Sequence, residues 1–279
     1  MSKEITIKNN FVQATVSSHA AEVISFKKIG STVETIWSRN PQHWRNCNPL
    51  LFPYAGPLKD GKYTYDGKEY FCGQHGFARD AEFTFTEVRD DEVALVLQSD
   101  FNTMRVYPFL FSVEVRYKLQ GHKLLIKCAI TNRDEKMLPF IIGFHPAFNC
   151  PIDGRESYRN YRIEFEQTEN LSHPEREIAD GNSFSLKDVS LFPSFFYHNH
   201  QLKSSWAQLT NGRHTVRVGI EGFSSVGFWH SSDKAPFVCI EPWYPDNDLP
   251  KENTFRDDME NDLLPPGQVF ECEYYFELI

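Results

Sequence analysis

The feature that most constrains this chain is a period-two alternation of apolar and polar residues, which recurs along it and never gives way to a long 3.6-residue period. Val113, Val115 and Tyr117 interleave with Glu114, Arg116 and Lys118. Val216, Val218 and Ile220 interleave with Arg217 and Gly219, and Cys272, Tyr274, Phe276 and Leu278 with Glu271, Glu273, Tyr275 and Glu277. Successive side chains of a strand leave opposite faces, so each stretch reads as a strand with one buried and one wet face. Further strands are expected at 3–8, 11–17, 21–28, 33–37, 82–88, 92–99, 122–133, 139–145, 160–166, 226–230 and 236–241. Asp60-Gly61 and Asn211-Gly212 mark turns, and Asp66-Gly67 between Lys62-Tyr63-Thr64-Tyr65 and Lys68-Glu69-Tyr70 is a hairpin signal. Only 41–46 and 256–261 could hold a turn or two of helix, and the polar stretch 167–190 reads as a long excursion. The expected fold is all-β, a large antiparallel β-sandwich forming a single domain over residues 1–279.

Composition agrees and narrows the function classes. A chain of 279 residues buries roughly three quarters of its unfolded surface, so its core needs neither disulfide nor metal. Aromatic residues reach 15%, which favours strands and suits the lining of a sugar-binding cleft. The net charge of −9 argues against nucleic acid and against an anionic membrane surface as partners. No window approaches ~18 uninterrupted apolar residues and the start lacks a signal peptide's apolar segment, so a soluble cytoplasmic protein is expected. The six cysteines are scattered without a Cys-x-x-Cys pair and read as reduced, mostly buried thiols.

Three segments break the strand pattern in ways that core packing does not require. They are Gly73-Gln74-His75-Gly76-Phe77-Ala78-Arg79-Asp80, Gly143-Phe144-His145-Pro146-Ala147-Phe148-Asn149, and Val238-Cys239-Ile240-Glu241-Pro242-Trp243. Running an apolar strand into His-Pro or Glu-Pro puts an ionisable side chain at the rim of a sheet, because the proline ends the ladder. Taken singly, each has a plain structural reading: His75 as a turn residue, His145 as a core imidazole bonded to a carbonyl, Glu241 as an exposed strand end. Two histidines and a carboxylate, each beside an aromatic residue and a kink, together suggest an acid/base site in an aromatic-lined cleft.

In order and content these segments resemble those of the aldose 1-epimerase (galactose mutarotase) family: His75-Gly76, then His145-Pro146-Ala147-Phe148-Asn149, then Cys239-Ile240-Glu241, with Pro266-Gly267-Gln268 leading into the last strand. Asn48-Pro49-Leu50-Leu51-Phe52-Pro53, Lys59-Asp60-Gly61-Lys62-Tyr63 and His75-Gly76-Phe77-Ala78-Arg79 resemble its branch of hexose-phosphate epimerases and LacX-like proteins. The resemblance implies a mutarotase that opens and closes a hexose ring by general acid/base catalysis, with no cofactor and no metal. It implies Glu241 as base and His145 as acid, with His75, Arg79, Lys59, Trp243 and Phe148 binding the sugar. The family carries an arginine after the glycine of its first segment, where this chain has Pro57 after Gly56 and Lys59 as the nearest cation. Asp246 and Asp248 are the candidates for the family's sugar-contacting aspartate.

The expected partner is a small-molecule sugar, with no nucleic acid and no membrane, and a homodimer is allowed for. The alternatives are a hexose-6-phosphate 1-epimerase, a non-catalytic carbohydrate-binding protein and a glycoside-cleaving enzyme. The last would need two carboxylates ~5–10 Å apart, and only Glu241 sits in a clear motif.

Overall fold

Period-two patterning builds two sheets that close on one another. The computed structural model of the chain describes residues 2–170, 181–191, 203–244 and 263–279, and the backbone of 195–198. Across the larger sheet, nine antiparallel strands run from Gly181–Ser185 through Arg162–Glu169, Trp206–Thr210, Thr215–Gly219 and Val269–Leu278. It continues through Lys123–Asn132, Phe111–Gln120 and Glu92–Gln98 to Thr84–Val88. The smaller sheet runs from Phe195–His198 through Ser225–Trp229, Phe237–Tyr244 and Ile142–Phe144 to Leu50–Leu51, and Ala147–Asn149 also pairs with Phe237–Tyr244. A three-stranded sheet, Glu4–Lys8, Val12–Ser17 and Val23–Lys28, precedes both in the chain.

The alternation fixes which face is buried. Val113, Val115 and Tyr117 are buried while Lys118 is exposed, and in the last strand Tyr274, Phe276 and Leu278 are buried while Glu271 and Glu273 are exposed. A one-residue slip would send that whole apolar set to water, so the hydrophobic effect sets the register here. Between the sheets the core is aromatic: Phe144 lies 4.3 Å from Tyr274, Phe148 meets Phe276 edge-on at 5.1 Å, and Phe165 meets Phe228 edge-on at 5.7 Å. These offset and edge-to-face contacts are the arrangements aromatic quadrupoles favour.

Local expectations are largely met. The Asp66-Gly67 hairpin forms between Lys62–Tyr65 and Lys68–Phe71, both turn residues having positive φ, 48° and 71°. All six cysteines are free, four of them buried. Other expectations fail. Residues 33–37 make only an isolated bridge, Ile36 to Phe148, and 41–46 is turn rather than helix. The helix at Phe101–Val106 escaped pattern reading because it is too short for a 3.6-residue period. A capping box between Asp100 and Thr103 holds it instead. The segment 256–261 lies outside the described residues, and within 167–190 the residues Gly181–Ser185 form an edge strand. No helix among the described residues is long and apolar enough to cross a membrane.

One backbone contact bridges the sheets to the first of the three unusual segments. The Phe52 carbonyl accepts from the N–H groups of Phe77 (3.1 Å) and Ala78 (3.2 Å), and Gly76 forms a parallel bridge to Phe52. Gly76 has φ of 71°, and a Cβ there would stand 2.1 Å from that carbonyl oxygen. Gly76→Ala is therefore expected to cost ~2–4 kcal/mol of unfolding free energy, since backbone must move to admit one methyl. Urea denaturation measures it, and an unchanged midpoint would show that the turn relaxes freely.

Candidate active site

The expectation that Glu241-Pro242 ends its strand is not met. The strand Phe237–Tyr244 runs on through Pro242, and Glu241 is a mid-strand residue with 1% of its surface exposed. The break occurs on the neighbouring chain segment instead. Ile142–Phe144 ends just before His145-Pro146, and Ala147–Asn149 resumes the pairing. Gly143 is opposite Trp243 and Ala147 opposite Cys239, the same register on both sides of the interruption, so His145 falls opposite Glu241. Opposite residues present their side chains on one face of a sheet, and His145 Nε2 lies 3.4 Å from Glu241 Oε2.

Glycine shapes the next position along. A Cβ on Gly143 would stand 2.8 Å from the Trp243 indole, so the missing side chain is what lets that ring lie across the sheet beside Glu241. Trp243 lines one wall of a cavity of about 250 Å³ that also contains His75, Arg79, His145 and Glu241. Trp44 and Trp229 form further walls, Trp44 at 4.7 Å and Trp229 at 5.3 Å from the His145 ring. His75 and His145 meet edge-on at 5.6 Å.

His75 is held by a reciprocal clasp. Its N–H donates to the Gly56 carbonyl and the Gly56 N–H donates to its Nδ1, both at 2.9 Å. Because Nδ1 accepts, the proton of the neutral ring sits on Nε2. The Gln74 amide is 3.1 Å from Nε2, so this tautomer turns the amide oxygen toward the ring. Burial first, and the Arg79 charge second, pull the His75 pKa down to about 3. His75 is thus a neutral hydrogen-bond donor, not an acid.

Burial acts in opposite senses on the facing pair. It pushes the Glu241 carboxyl well above the ordinary carboxylate range, opposed by the Arg79 charge and the Trp243 indole. It pulls His145 well below the ordinary imidazole range, helped by the nearby His75 and Arg79. Both shifts favour the uncharged forms, as desolvation must. Two other carboxylates are as deeply buried, and both accept backbone N–H groups. Glu22 accepts from the Cys47 and Asn48 N–H groups at 2.8 and 3.1 Å, and Glu169 accepts from the Ser204 N–H at 2.8 Å. Around Glu241 the donors are the Trp243 indole and the His145 imidazole, and neither of its oxygens accepts a backbone hydrogen bond among the described residues.

Of the residues expected to bind sugar, His75, Arg79 and Trp243 line the cavity. Phe148 does not: it is fully buried against Phe276 between the sheets, on the opposite face of its strand from Ala147. Lys59 also lies off the cavity, exposed at the start of the turn Lys59–Gly61, while Gly56 and Pro57 before it do line the cavity. Asp246 and Asp248 lie outside the described residues. Sequence reasoning missed Trp44, Trp229, Gln74 and the Gly56 N–H. Tryptophan in a turn-rich segment was the available signal for Trp44, whereas a backbone donor leaves none.

A large antiparallel sandwich that carries an aromatic-walled cavity with a carboxyl facing an imidazole defines the class of fold and site this chain presents. The chain belongs to the aldose 1-epimerase family, whose profile matches residues 3–202. It is 30% identical over 260 residues to the chromosomal protein LacX of Lactococcus lactis subsp. lactis, covering 86% of this chain and 87% of that one. Among solved structures it resembles a galactose mutarotase-like protein from Lactobacillus casei (TM-score 0.86, 26% identity, 99% of this chain and 100% of that). It also resembles a galactose mutarotase related enzyme from Lactobacillus acidophilus (TM-score 0.82, 27% identity, 99% and 97%).

The clasp makes a spectroscopic prediction. Nitrogen-15 NMR of the imidazoles is expected to show His75 as the neutral Nε2–H tautomer from pH 8 down to pH 5, since its pKa is about 3. Protonation of His75 near the ordinary value of ~6.5 would refute the clasp.

Proposed function

We propose that this protein is an aldose 1-epimerase that interconverts the anomers of a neutral hexose, with Glu241 and His145 as its proton-transfer pair. The observation that carries this reading is the carboxyl left without a full set of donors opposite an imidazole. A buried carboxyl so poorly satisfied costs stability, and holding a sugar hydroxyl through it does not need an imidazole placed to exchange its proton. Mutarotation does. One group must take the proton of the O1 hydroxyl while another supplies a proton to the ring oxygen, and closure of the open aldehyde reverses the two transfers.

The pair holds one exchangeable proton between its two groups. In the ion-paired form, the Glu241 carboxylate takes the O1 proton and the His145 imidazolium protonates the ring oxygen. Burial favours the neutral form in the free protein, and the 3.4 Å separation is within the range that tightens to a proton-transfer hydrogen bond when a substrate closes the site. When a sugar enters, the His75 Nε2–H exchanges the Gln74 amide for a sugar oxygen, and the Arg79 guanidinium holds a hydroxyl or steadies charge on Glu241. The tryptophan walls offer apolar faces to the C–H side of a pyranose. A cavity of about 250 Å³ suits one sugar ring, being below the ~300 Å³ at which drug-sized sites begin.

Arg79 is the cation that lines this cavity among the described residues, and the net charge of −9 gives no long-range pull on an anion. That supports neutral aldoses over hexose 6-phosphates, whose dianion would call for an arginine fork or several amides. Glu241 is also the one carboxylate among the described residues lining the cavity, which leaves glycoside cleavage without its second carboxylate there.

Polarimetry on fresh α-anomers of glucose and galactose is the direct test. Glu241→Gln should slow turnover ~10²-fold or more while the unfolding midpoint stays level or rises, because the amide cannot accept the proton yet relieves a buried acid. A variant keeping a third of wild-type turnover would remove Glu241 from the role. His145→Asn should act similarly. His75→Asn should raise KM more than it lowers kcat. If a 6-phosphate competes with tenfold higher kcat/KM, and salt abolishes that gap, the neutral-sugar preference is wrong.

The pH profile has a defined shape. Activity needs one proton on the pair, and the apparent values belong to both groups together. As pH falls, the pair gains a second proton only at the lowered pKa of His145, so the acid limb of kcat/KM should lie below the ordinary imidazole value of ~6.5. As pH rises, the last proton leaves only at the raised pKa of Glu241, so the basic limb should lie well above the ordinary carboxylate value of ~4.3. A half-maximal point at pH 6.5 or above on the acid side would contradict this ordering.

A further inference from the structure

Cys239 stands beside the proton-transfer pair and has no part in the chemistry above. It lies two residues before Glu241 on an extended strand, so the two side chains leave the same face. Its cross-strand partner is Ala147, two residues after His145. One donor atom each from Cys239, His145 and Glu241 lie within 4.8 Å of one another, and all three side chains are buried. His145 Nε2 and Glu241 Oε2, 3.4 Å apart, already stand close to the ~3.3 Å that separates nitrogen and oxygen ligands at ~2.0–2.1 Å around a tetrahedral ion.

We propose that this Cys–His–Glu cluster is an inhibitory binding site for a thiophilic divalent cation of zinc's class, which enters from the cavity and captures the acid and the base together. One sulfur, one nitrogen and one oxygen donor suit zinc or cobalt, whereas magnesium and calcium want all-oxygen sets. Three protein ligands leave a fourth position, and His145 and Glu241 line the cavity from which water would fill it. Neither oxygen of Glu241 accepts a backbone hydrogen bond among the described residues, so the cation would displace only its contacts with the Trp243 indole and His145 Nε2. Cys47 is not a competing ligand, since its thiol donates to the Val23 carbonyl at 3.4 Å. On binding, the Cys239 S–H proton and any proton on Glu241 leave to solvent as metal–sulfur and metal–oxygen bonds form. No electron is transferred. The positive charge of Arg79, which acts on both Glu241 and His145, opposes the cation, so a reversible inhibitor rather than a permanent cofactor is expected.

The effect on activity rests on Glu241 and His145 being the proton-transfer pair, but binding does not, and the test separates the two. Chelator-treated protein is titrated with cobalt(II) and read by absorption. Wild type should develop a thiolate-to-cobalt charge-transfer band and tetrahedral ligand-field bands, saturating at one ion per chain and bleached by zinc. Cys239→Ser should lose the charge-transfer band, and Glu241→Gln should keep it with affinity weakened ~10-fold or more. Zinc inhibition of mutarotation, taken relative to each variant's own metal-free rate, should weaken by a similar factor in Cys239→Ser. Circular dichroism confirms folding, and Cys239→Ala serves if the serine variant misfolds. A charge-transfer band that survives loss of Cys239 would assign the thiolate to another cysteine and overturn the proposal, as would a wild type that binds no cobalt. Cobalt binding as described in a protein that turns over no sugar would sink the mutarotase reading alone. Mutarotation indifferent to zinc would sink this one alone.

Discussion

The dry juxtaposition of Glu241 and His145 is the constraint on which the rest of this site depends. Two ionisable groups, 1% and 6% exposed, face each other across a strand interruption, and the low polarity around them pushes their pKa values in opposite directions. Burial is the first cause of both shifts, and three tryptophans and a second histidine wall the cavity that the pair faces. Aromatic walls bury the pair while leaving beside it a cavity of about 250 Å³ with both polar and apolar lining.

Holding such a pair requires rigid backbone, since neither side chain is fixed by a full set of hydrogen bonds. The strand Phe237–Tyr244 is paired on both sides, to Ser225–Trp229 and to the interrupted 142–149 segment, which fixes Glu241 from the main chain outward. On the facing wall the same task falls to the Phe52 carbonyl, which ties down the turn after His75, and to the Gly56 clasp, which sets the tautomer of His75. Glu22 joins these to the first sheet by accepting from Cys47 and Asn48, just before the strand Leu50–Leu51. Glu22 and Glu169 are held by backbone N–H groups, whereas Glu241, equally buried, has none among the described residues and faces the cavity.

Cys239 adds a third buried donor to the cluster that Glu241 and His145 form. Strand alternation puts the side chains of residues 239, 241 and 243 on one face, so a thiol, a carboxyl and an indole follow one another along the sheet. The imidazole opposite completes a donor set that neither the thiol nor the carboxyl would make alone.

The sequence by itself determined the class of fold and the faces of its strands, because a residue's distance from water follows directly from a period of two. It also determined the Asp66-Gly67 turn, whose residues accept positive φ, and the three segments that supply His75, His145, Arg79, Glu241 and Trp243. Tertiary structure decided everything that depends on one segment lying beside another. Phe148 reads as a ligand's aromatic face only until the two sheets close over it. Lys59 reads as a nearby cation until the chain turns it outward. Proline 242 looks like a strand end, yet the ladder runs through it and the break falls at Pro146 on the opposing segment, which is why His145 meets Glu241. Trp44, Trp229 and the Gly56 N–H joined the site from parts of the chain with no chemical motif, since proximity in space leaves no periodic trace in a sequence.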